Sequence, residues 1–440
     1  MKRRLLAQLI AWQKKPVHLP LLLRGARQVG KTFLVEYFGR HYFQNIVSIN
    51  FEQFPEYNSC FNSLKPHDIL HHIEILSEKR IIPGQSLLFL DEIQLCPNAI
   101  MALRYFKEQM PELHVIGAGS LLEFALGAKG FHMPVGRVQY LYLKPLSFQE
   151  YLQARGLDKL QEFINTATLE SDIPDAIHDK ALQMVQEYMA IGGMPMVTDH
   201  FIQNQSLREC QEYQTLVLRT YSDDFAKYAD SAHHKYLQQV YDRTPGLVGQ
   251  QIKYVNISAN MDSRYLKEAI HSLSKAGVIT PIYASLAAGL PLISHVQEKK
   301  FKLLFLDIGL LKRVTRLDID LLLNPDLMLN NRGALTEQFV GQELLAYQDP
   351  YDEAQLYYWS RDKKGSSAEV DYLIHVDSQI IPIEVKSGKT GRLKSLQILL
   401  QEKNLPLGIR ISAKKLCRQG NILSVPFYMI GEIARLVRTL

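Results

Sequence analysis

Cysteine is scarce in this chain: Cys60, Cys96, Cys210 and Cys417 are the only four in 440 residues. They form no C-x-x-C pair, so neither a zinc cluster nor a disulfide framework is expected. Reduced thiols in a cytosol fit best, which makes cytoplasmic the expected location. Long apolar runs are also missing. The most apolar later stretch, Ile279 to Val296, is interrupted by Pro281, Gly289 and Pro291, too broken for a membrane span. Met1 to Lys15 reads as an amphipathic helix without the apolar run of a signal peptide, so no membrane partner is expected. There is no repeat and no low-complexity linker. The net charge is only +5. From Tyr351 onward, fourteen Lys and Arg stand against nine Asp and Glu, so the whole excess lies there. That points to an anionic partner, DNA or RNA, for the C-terminal end, although solvated surface charge explains it almost as well. What remains is ordinary globular composition, 47% apolar and 22% charged, with length for about three domains.

Against this background one stretch stands out: Gly25-Ala26-Arg27-Gln28-Val29-Gly30-Lys31-Thr32. It matches G-x-x-x-x-G-K-[ST], the phosphate-binding P-loop. An apolar run, His18 to Leu23, reads as a strand entering it, and Phe33 to Arg40 as a helix leaving it. Such a loop surrounds a phosphate with backbone N–H groups at a helix N-terminus. Gly25 and Gly30 permit close backbone approach. Lys31 is expected to reach the β- and γ-phosphates of ATP, and Thr32 to hold Mg²⁺.

A second stretch completes the pattern. Ser86 to Leu90 is continuously apolar and ends in Asp91-Glu92. Continuous apolarity suits a central parallel strand covered on both faces, and ligands meet such sheets at the carboxyl ends of strands. Asp91 is expected to bind Mg²⁺ and Glu92 to polarise the attacking water; the plainer alternative is an acidic pair capping the next helix. His114 to Ser120 is a further strand, whose Ser120 either senses the γ-phosphate or caps a helix starting at Leu121.

GARQVGKT, LLFLDEIQ, the GAGSLL strand end, and GR followed by a strand and then PLSFQEYL together carry a resemblance. Leu21 to Leu152 resembles the bacterial and archaeal AAA+ ATPases whose C-terminal half is a domain of unknown function, the DUF4143 type, and the resemblance covers essentially the whole chain. It implies a sensor position for Ser120. It also makes Arg137 a candidate arginine finger or nucleotide sensor, which brings a homo-oligomer into view; a structural Arg paired with a carboxylate is the alternative.

The middle is helix-rich. Ile191-Gly192-Gly193-Met194-Pro195 is a sharp break, read as a helix C-cap followed by Pro rather than as a hinge. Asp223-Asp224 reads as surface charge. Tyr236 to Lys253, Asn256 to Asn260, Asp262 to Ala276 and the strands near Val278 to Tyr283 and Lys299 to Leu306 suggest a winged helix, whose Arg264 and Lys267 would face DNA if it reads DNA at all.

Near the end, Arg332 to Ala346 reads as a helix, and Ala368 to His375 and Gln379 to Lys386 as a hairpin turning at Asp377-Ser378. Asp371 lies on its first strand; Glu384 and Lys386 share a face of its second. Asp followed by E-x-K across a hairpin resembles the PD-(D/E)xK nuclease core, in which carboxylates bind a metal that activates water. Glu337, Asp371 and Glu384 are the expected ligands of such a second metal, with Lys386 beside them and Gln397 a weak candidate for substrate contact. Lys386, Lys389, Arg392 and Lys394 would suit a phosphate backbone. The alternative is a satisfied polar cluster on a sheet.

The expected fold is therefore α/β: an AAA+-like P-loop core over residues 1–155, a helical lid over 156–230, a winged-helix-like segment over 231–315, and a C-terminal restriction-endonuclease-like domain over 316–440. The expected function is Mg²⁺-dependent ATP hydrolysis coupled to the C-terminal domain. The rivals are an ATP-gated switch of low turnover, as in defence or toxin–antitoxin-like systems, and an ATP-regulated metal-dependent nuclease.

Overall fold

The computed structural model describes residues 1–120, 122, 136–227, 231–258, 261–316, 332–361, 368–388 and 393–440. Their strands form two sheets. The first holds β1 (Leu21–Arg24), β2 (Asn45–Asn50), β3 (Ser86–Asp91), β4 (His114–Ala118) and β5 (Gln139–Tyr142), all parallel, in the order β2-β3-β4-β1-β5. This is the expected P-loop sheet. Its strands read as unbroken apolar runs because both faces are covered. Leu21, Leu23, Leu87, Phe89 and Ile116 enter one core, while Leu22, Leu88, Leu90 and Val115 enter the other. The register places Asp91 beside both Asn50 and Ala118. The carboxyl ends are thus level, and the residues that follow them share one edge.

The two cores differ in extent. The second is local to the first sheet, whereas the first runs on from Leu5 and Trp12 to Phe339, Tyr372 and Met429. Helices Asp158–Thr166, Asp175–Ile191, Pro195–Asn204, Leu207–Asp223, Ser231–Leu247 and Ser263–Lys275 fill the middle. The break at Gly192-Gly193 is a C-cap with Pro195 opening the next helix. Close approach also requires these glycines: Gly192 has φ 84°, and a Cβ there would lie 2.1 Å from Asp307 Oδ1. Among the described residues, no helix is long and apolar enough to cross a membrane.

The second sheet is mixed and has eight strands: β6 (Ile279–Ser285), β7 (Val296–Phe305), β8 (Tyr357–Ser360), β9 (Glu369–Val376), β10 (Gln379–Val385), β11 (Gly408–Ser412), β12 (Cys417–Gln419) and β13 (Ile422–Pro426). Their order is β12-β13-β11-β10-β9-β8-β6-β7. The β9–β10 hairpin turns at Asp377-Ser378, as the sequence suggests. The strand pair expected as a wing, β6 and β7, forms the end of this sheet, with Tyr283 of β6 beside Tyr357 of β8. Pairing with β8 covers a strand edge that an isolated hairpin would leave open.

Helix Arg332–Ala346 joins the two halves through buried polar side chains. Gln338 both accepts from Phe305 N (2.9 Å) and donates to Phe305 O (2.7 Å). Gln342 accepts from Ile308 N and donates to the Tyr188 hydroxyl. Both oxygens of Glu343 lie 3.0 Å from Phe148 N, the first residue of the helix Phe148–Ala154. Burial pushes the Glu343 carboxyl up to about 8, so the folded protein holds its proton more tightly than the unfolded chain does. Its contribution to stability is therefore full below the ordinary glutamate range and is lost as pH rises through 8. Urea unfolding at pH 5 and pH 8 is expected to show wild type losing about 1–3 kcal/mol more than Glu343→Gln over that interval.

Candidate functional site

The P-loop leaves β1 at Arg24 and enters the helix Lys31–Tyr42. Gly25 (φ 144°) and Gly30 (φ 93°) hold conformations that glycine adopts without strain, and a Cβ on Gly25 would lie 2.2 Å from Leu143 O. Lys31 is buried and donates to Gly25 O and Ala26 O, both at 2.9 Å. Burial pulls its pKa down to about 8, a cost that a bound polyphosphate would offset. Thr32 Oγ1 donates to Asp91 Oδ2 at 2.9 Å, and Asn50 Nδ2 donates to the same oxygen at 3.2 Å. Burial raises the Asp91 pKa, against the opposing hydrogen bond from Thr32. A hydroxyl and a buried carboxylate side by side at a P-loop fit a hard divalent cation.

Glu92 follows with φ 49°, a left-handed residue that turns the chain out of β3. Its Oε2 accepts from Gln94 Nε2 at 2.6 Å and lies 3.5 Å from both N and Oγ of Ser120. Glu92 and Ser120 thus meet at the carboxyl ends of β3 and β4. The helix proposed to start at Leu121 lies outside the described residues. Arg137 is half-exposed and binds Glu108 Oε1 at 3.1 Å, the structural pairing that the sequence left open.

The rest of the chain grips the loop from outside. Arg3 donates to Val29 O (2.7 Å) and to Lys144 O (2.5 Å), and pairs with Glu150 at 3.0 Å, all buried or partly so. Arg27 pairs with Asp224 at 2.5 Å, and the Tyr221 hydroxyl donates to Arg27 O. Pro195 lies against Gly30, and Gly277 against Ala26. Reading Asp224 as surface charge was therefore incorrect. It is 6% exposed and anchors the P-loop arginine; its partner is 197 residues away in sequence, so no local pattern reveals it. A small cavity of about 70 Å³ lies between Gly25, Ala26 and Ser120 on one side and Lys275, Gly277 and Gln342 on the other.

In the C-terminal sheet, Asp371, Glu384 and Lys386 are neighbours. Asp371 Oδ2 accepts from Val385 N at 2.8 Å, and Lys386 Nζ donates to Glu384 Oε1 at 2.6 Å. The centre of the cluster is a residue that sequence reasoning missed, Lys302 of β7. The residue is 1% exposed, and its ammonium lies 2.8 Å from Glu337, 2.5 Å from Glu369 and 3.8 Å from Asp371. Burial disfavours its charge, but Glu337, Asp371 and Glu369 together more than offset this and raise its pKa. Burial raises Glu337, Asp371 and Glu384 as well. Among the described residues, no group of three or more His, Cys, Asp or Glu is arranged to hold a metal ion. Of the three expected ligands of a second metal, Glu337 and Asp371 lie against the Lys302 ammonium, while Glu384 pairs with Lys386 and has its other carboxylate oxygen buried without a hydrogen-bond partner among the described residues. Lys389 and Arg392 lie outside the described residues, and Gln397 is exposed on the helix Lys394–Lys403.

Family comparison agrees with the order of these parts. Residues 18–152 match the AAA domain, 182–320 match DUF8612, a domain of unknown function, and 332–427 match DUF4143, also of unknown function. The chain carries an AAA domain and a DUF4143 domain. No curated protein matches it. Similar solved structures include a Walker-type ATPase of Pyrococcus abyssi, at 15% identity and TM-score 0.44 over 70% of this chain and 94% of that one. The Aeropyrum pernix ORC1 protein, solved in complex with DNA, is 12% identical with TM-score 0.29 over 71% and 91%. The Thermotoga maritima RuvB branch migration motor is 15% identical with TM-score 0.29 over 64% and 89%. Similarity this low bears on neither site nor partner.

The Lys302 cluster ties the DUF8612 segment to the DUF4143 segment, because its members come from β7 of the first and from β9 and the helix Arg332–Ala346 of the second. Lys302→Met would leave the carboxylates buried without a counter-charge, and a loss of about 3–5 kcal/mol in chemical denaturation at pH 7 is expected.

Proposed function

We propose that the AAA domain binds ATP with Mg²⁺ at Gly25 to Thr32 and hydrolyses it, and that the state of the nucleotide is passed to the DUF4143 half of the chain. The observation that carries the reading is the contact of Thr32 with Asp91 at 2.9 Å, with Glu92 next in sequence. It joins the two motifs at one edge of the sheet, where ligands of such folds bind.

In this reading the backbone N–H groups of the loop and the Lys31 ammonium hold the β- and γ-phosphates. Thr32 and Asp91 would hold Mg²⁺, which when bound neutralises charge on the phosphates. Glu92 accepts a proton from the attacking water. Ser120, whose hydroxyl faces Glu92, senses the terminal phosphate. Arg137 is engaged with Glu108 within the chain, so a role as an arginine finger would require that pair to open. The coupling is supported by contacts that tie the loop to the 182–320 segment, Arg27 with Asp224, Gly30 with Pro195 and Ala26 with Gly277, because strands β6 and β7 of that segment belong to the second sheet. A ligand that reshapes the loop must work against them. The basic excess after Tyr351 keeps a nucleic acid among the partners of the C-terminal half. The same grip on the loop also favours the second reading, a switch of low turnover.

Lys31→Ala is expected to abolish ATP binding and turnover. Glu92→Gln is expected to bind ATP at near wild-type affinity and to lose hydrolysis by about a hundredfold or more. Equilibrium binding of a fluorescent ATP analogue and a phosphate-release assay measure the two effects; undiminished release in both variants would sink the hydrolytic reading. Binding without steady-state release in wild type would select the switch.

A further inference from the structure

The nearest partner of the Glu92 carboxylate is Gln94, two residues further along the same turn. The left-handed backbone at Glu92 sends the chain into the 3-10 turn Ile93–Leu95. That turn brings the Gln94 amide back over the carboxylate, with Nε2 2.6 Å from Glu92 Oε2. Room for the amide comes from Gly119, at the end of β4, where a Cβ would lie 1.9 Å from Gln94 Oε1. Any other residue at 119 would displace the glutamine. The amide oxygen is buried and has no hydrogen-bond partner among the described residues. Placing an unsatisfied carbonyl there costs stability, and the proposed ATPase activity gives that cost a use.

We propose that Gln94 is a positioning residue for hydrolysis, fixing the orientation of the Glu92 carboxylate toward the attacking water. The donated N–H occupies Oε2 and leaves the other oxygen of Glu92 to accept the water's proton. A flexible glutamate on an unrestrained turn would sample several rotamers, and only some would face the terminal phosphate. Gln94 and Ser120 bracket the carboxylate from the two adjacent strand ends, β3 and β4. Gly119 thereby becomes part of the device: it is the residue that makes space for Gln94.

This inference rests on the hydrolytic reading, and the test separates the two. Phosphate release is measured for wild type, Lys31→Ala, Gln94→Leu, Gln94→Glu and Glu92→Gln, and for Glu92→Gln combined with Gln94→Leu. Gln94→Glu keeps the shape and removes the donor. Both Gln94 variants are expected to lower kcat about ten- to a hundredfold, the worth of one hydrogen bond to a charged group, with KM within about twofold of wild type. Nucleotide affinity stays near wild type, and the melting temperature of Gln94→Leu does not fall below it. In the double variant, Gln94→Leu adds nothing to the loss already caused by Glu92→Gln, because it acts only through that carboxylate. An unchanged or raised kcat in Gln94→Leu, a loss confined to KM, or additive losses in the double variant would each overturn the inference while leaving the ATPase reading intact. Wild-type turnover no greater than that of Lys31→Ala would instead overturn the ATPase reading, and the role of Gln94 with it.

Discussion

The P-loop in this chain is held from outside its own sheet. Arg3 takes the Val29 carbonyl, Tyr221 takes the Arg27 carbonyl, Asp224 takes the Arg27 guanidinium, and Pro195 and Gly277 lie close to Gly30 and Ala26. Phosphate loops are built from backbone groups, and backbone position is what these contacts control. The constraint explains why one core runs the length of the molecule. A loop gripped by residues from near position 3 to near position 277 needs those residues to be fixed relative to each other, and continuous apolar packing is what fixes them.

The junction between the halves adds buried polar contacts to its apolar packing. Gln338, Gln342 and Glu343 lie on one helix and satisfy backbone groups at Phe305, Ile308 and Phe148. Each of those groups sits at a strand or helix terminus, where backbone donors have no partner of their own. A purely apolar helix face would have buried them unsatisfied. Polar pairing also specifies one relative placement, which apolar packing alone does less sharply. Lys302 has the same part in the second sheet. An ammonium among three carboxylates stabilises only one arrangement of β7, β9 and the helix Arg332–Ala346, because any shift leaves a charge buried alone.

Local pattern made the P-loop and its acidic strand end legible and left their surroundings hidden. GARQVGKT and the Asp91-Glu92 strand end are short segments whose chemistry is carried by consecutive residues, and the parallel register then brings Thr32 against Asp91. The β9–β10 hairpin was legible for the same reason, since alternation and a turn at Asp377-Ser378 are local signals. Asp224, Lys302 and Glu343 were not. Their partners lie 197, 35 and 195 residues away, and a charged residue with a distant partner looks in sequence like any solvated one. The strands β6 and β7 show the limit in another form. Their positions were readable, but the edge they pair with is chosen by the tertiary fold, and β8 was the edge available.

Lys302 and Lys31 make an instructive contrast. Both are buried lysines, and burial lowers the pKa of each before any partner acts. Lys302 is surrounded by carboxylates and ends above the ordinary lysine range, whereas Lys31 is bonded to two neutral carbonyls and falls to about 8. The first lysine has its full complement of negative charge within the protein, so a further anion there would gain little. The second is left with a deficit that carbonyl dipoles do not meet, although Asp91 and Glu92 act in its favour. A buried cation short of counter-charge at a helix N-terminus is a place where bound phosphate improves the electrostatics of the protein itself. By this measure the two lysines differ in kind: Lys302 is held by carboxylates of the protein, and Lys31 by carbonyls of the P-loop itself.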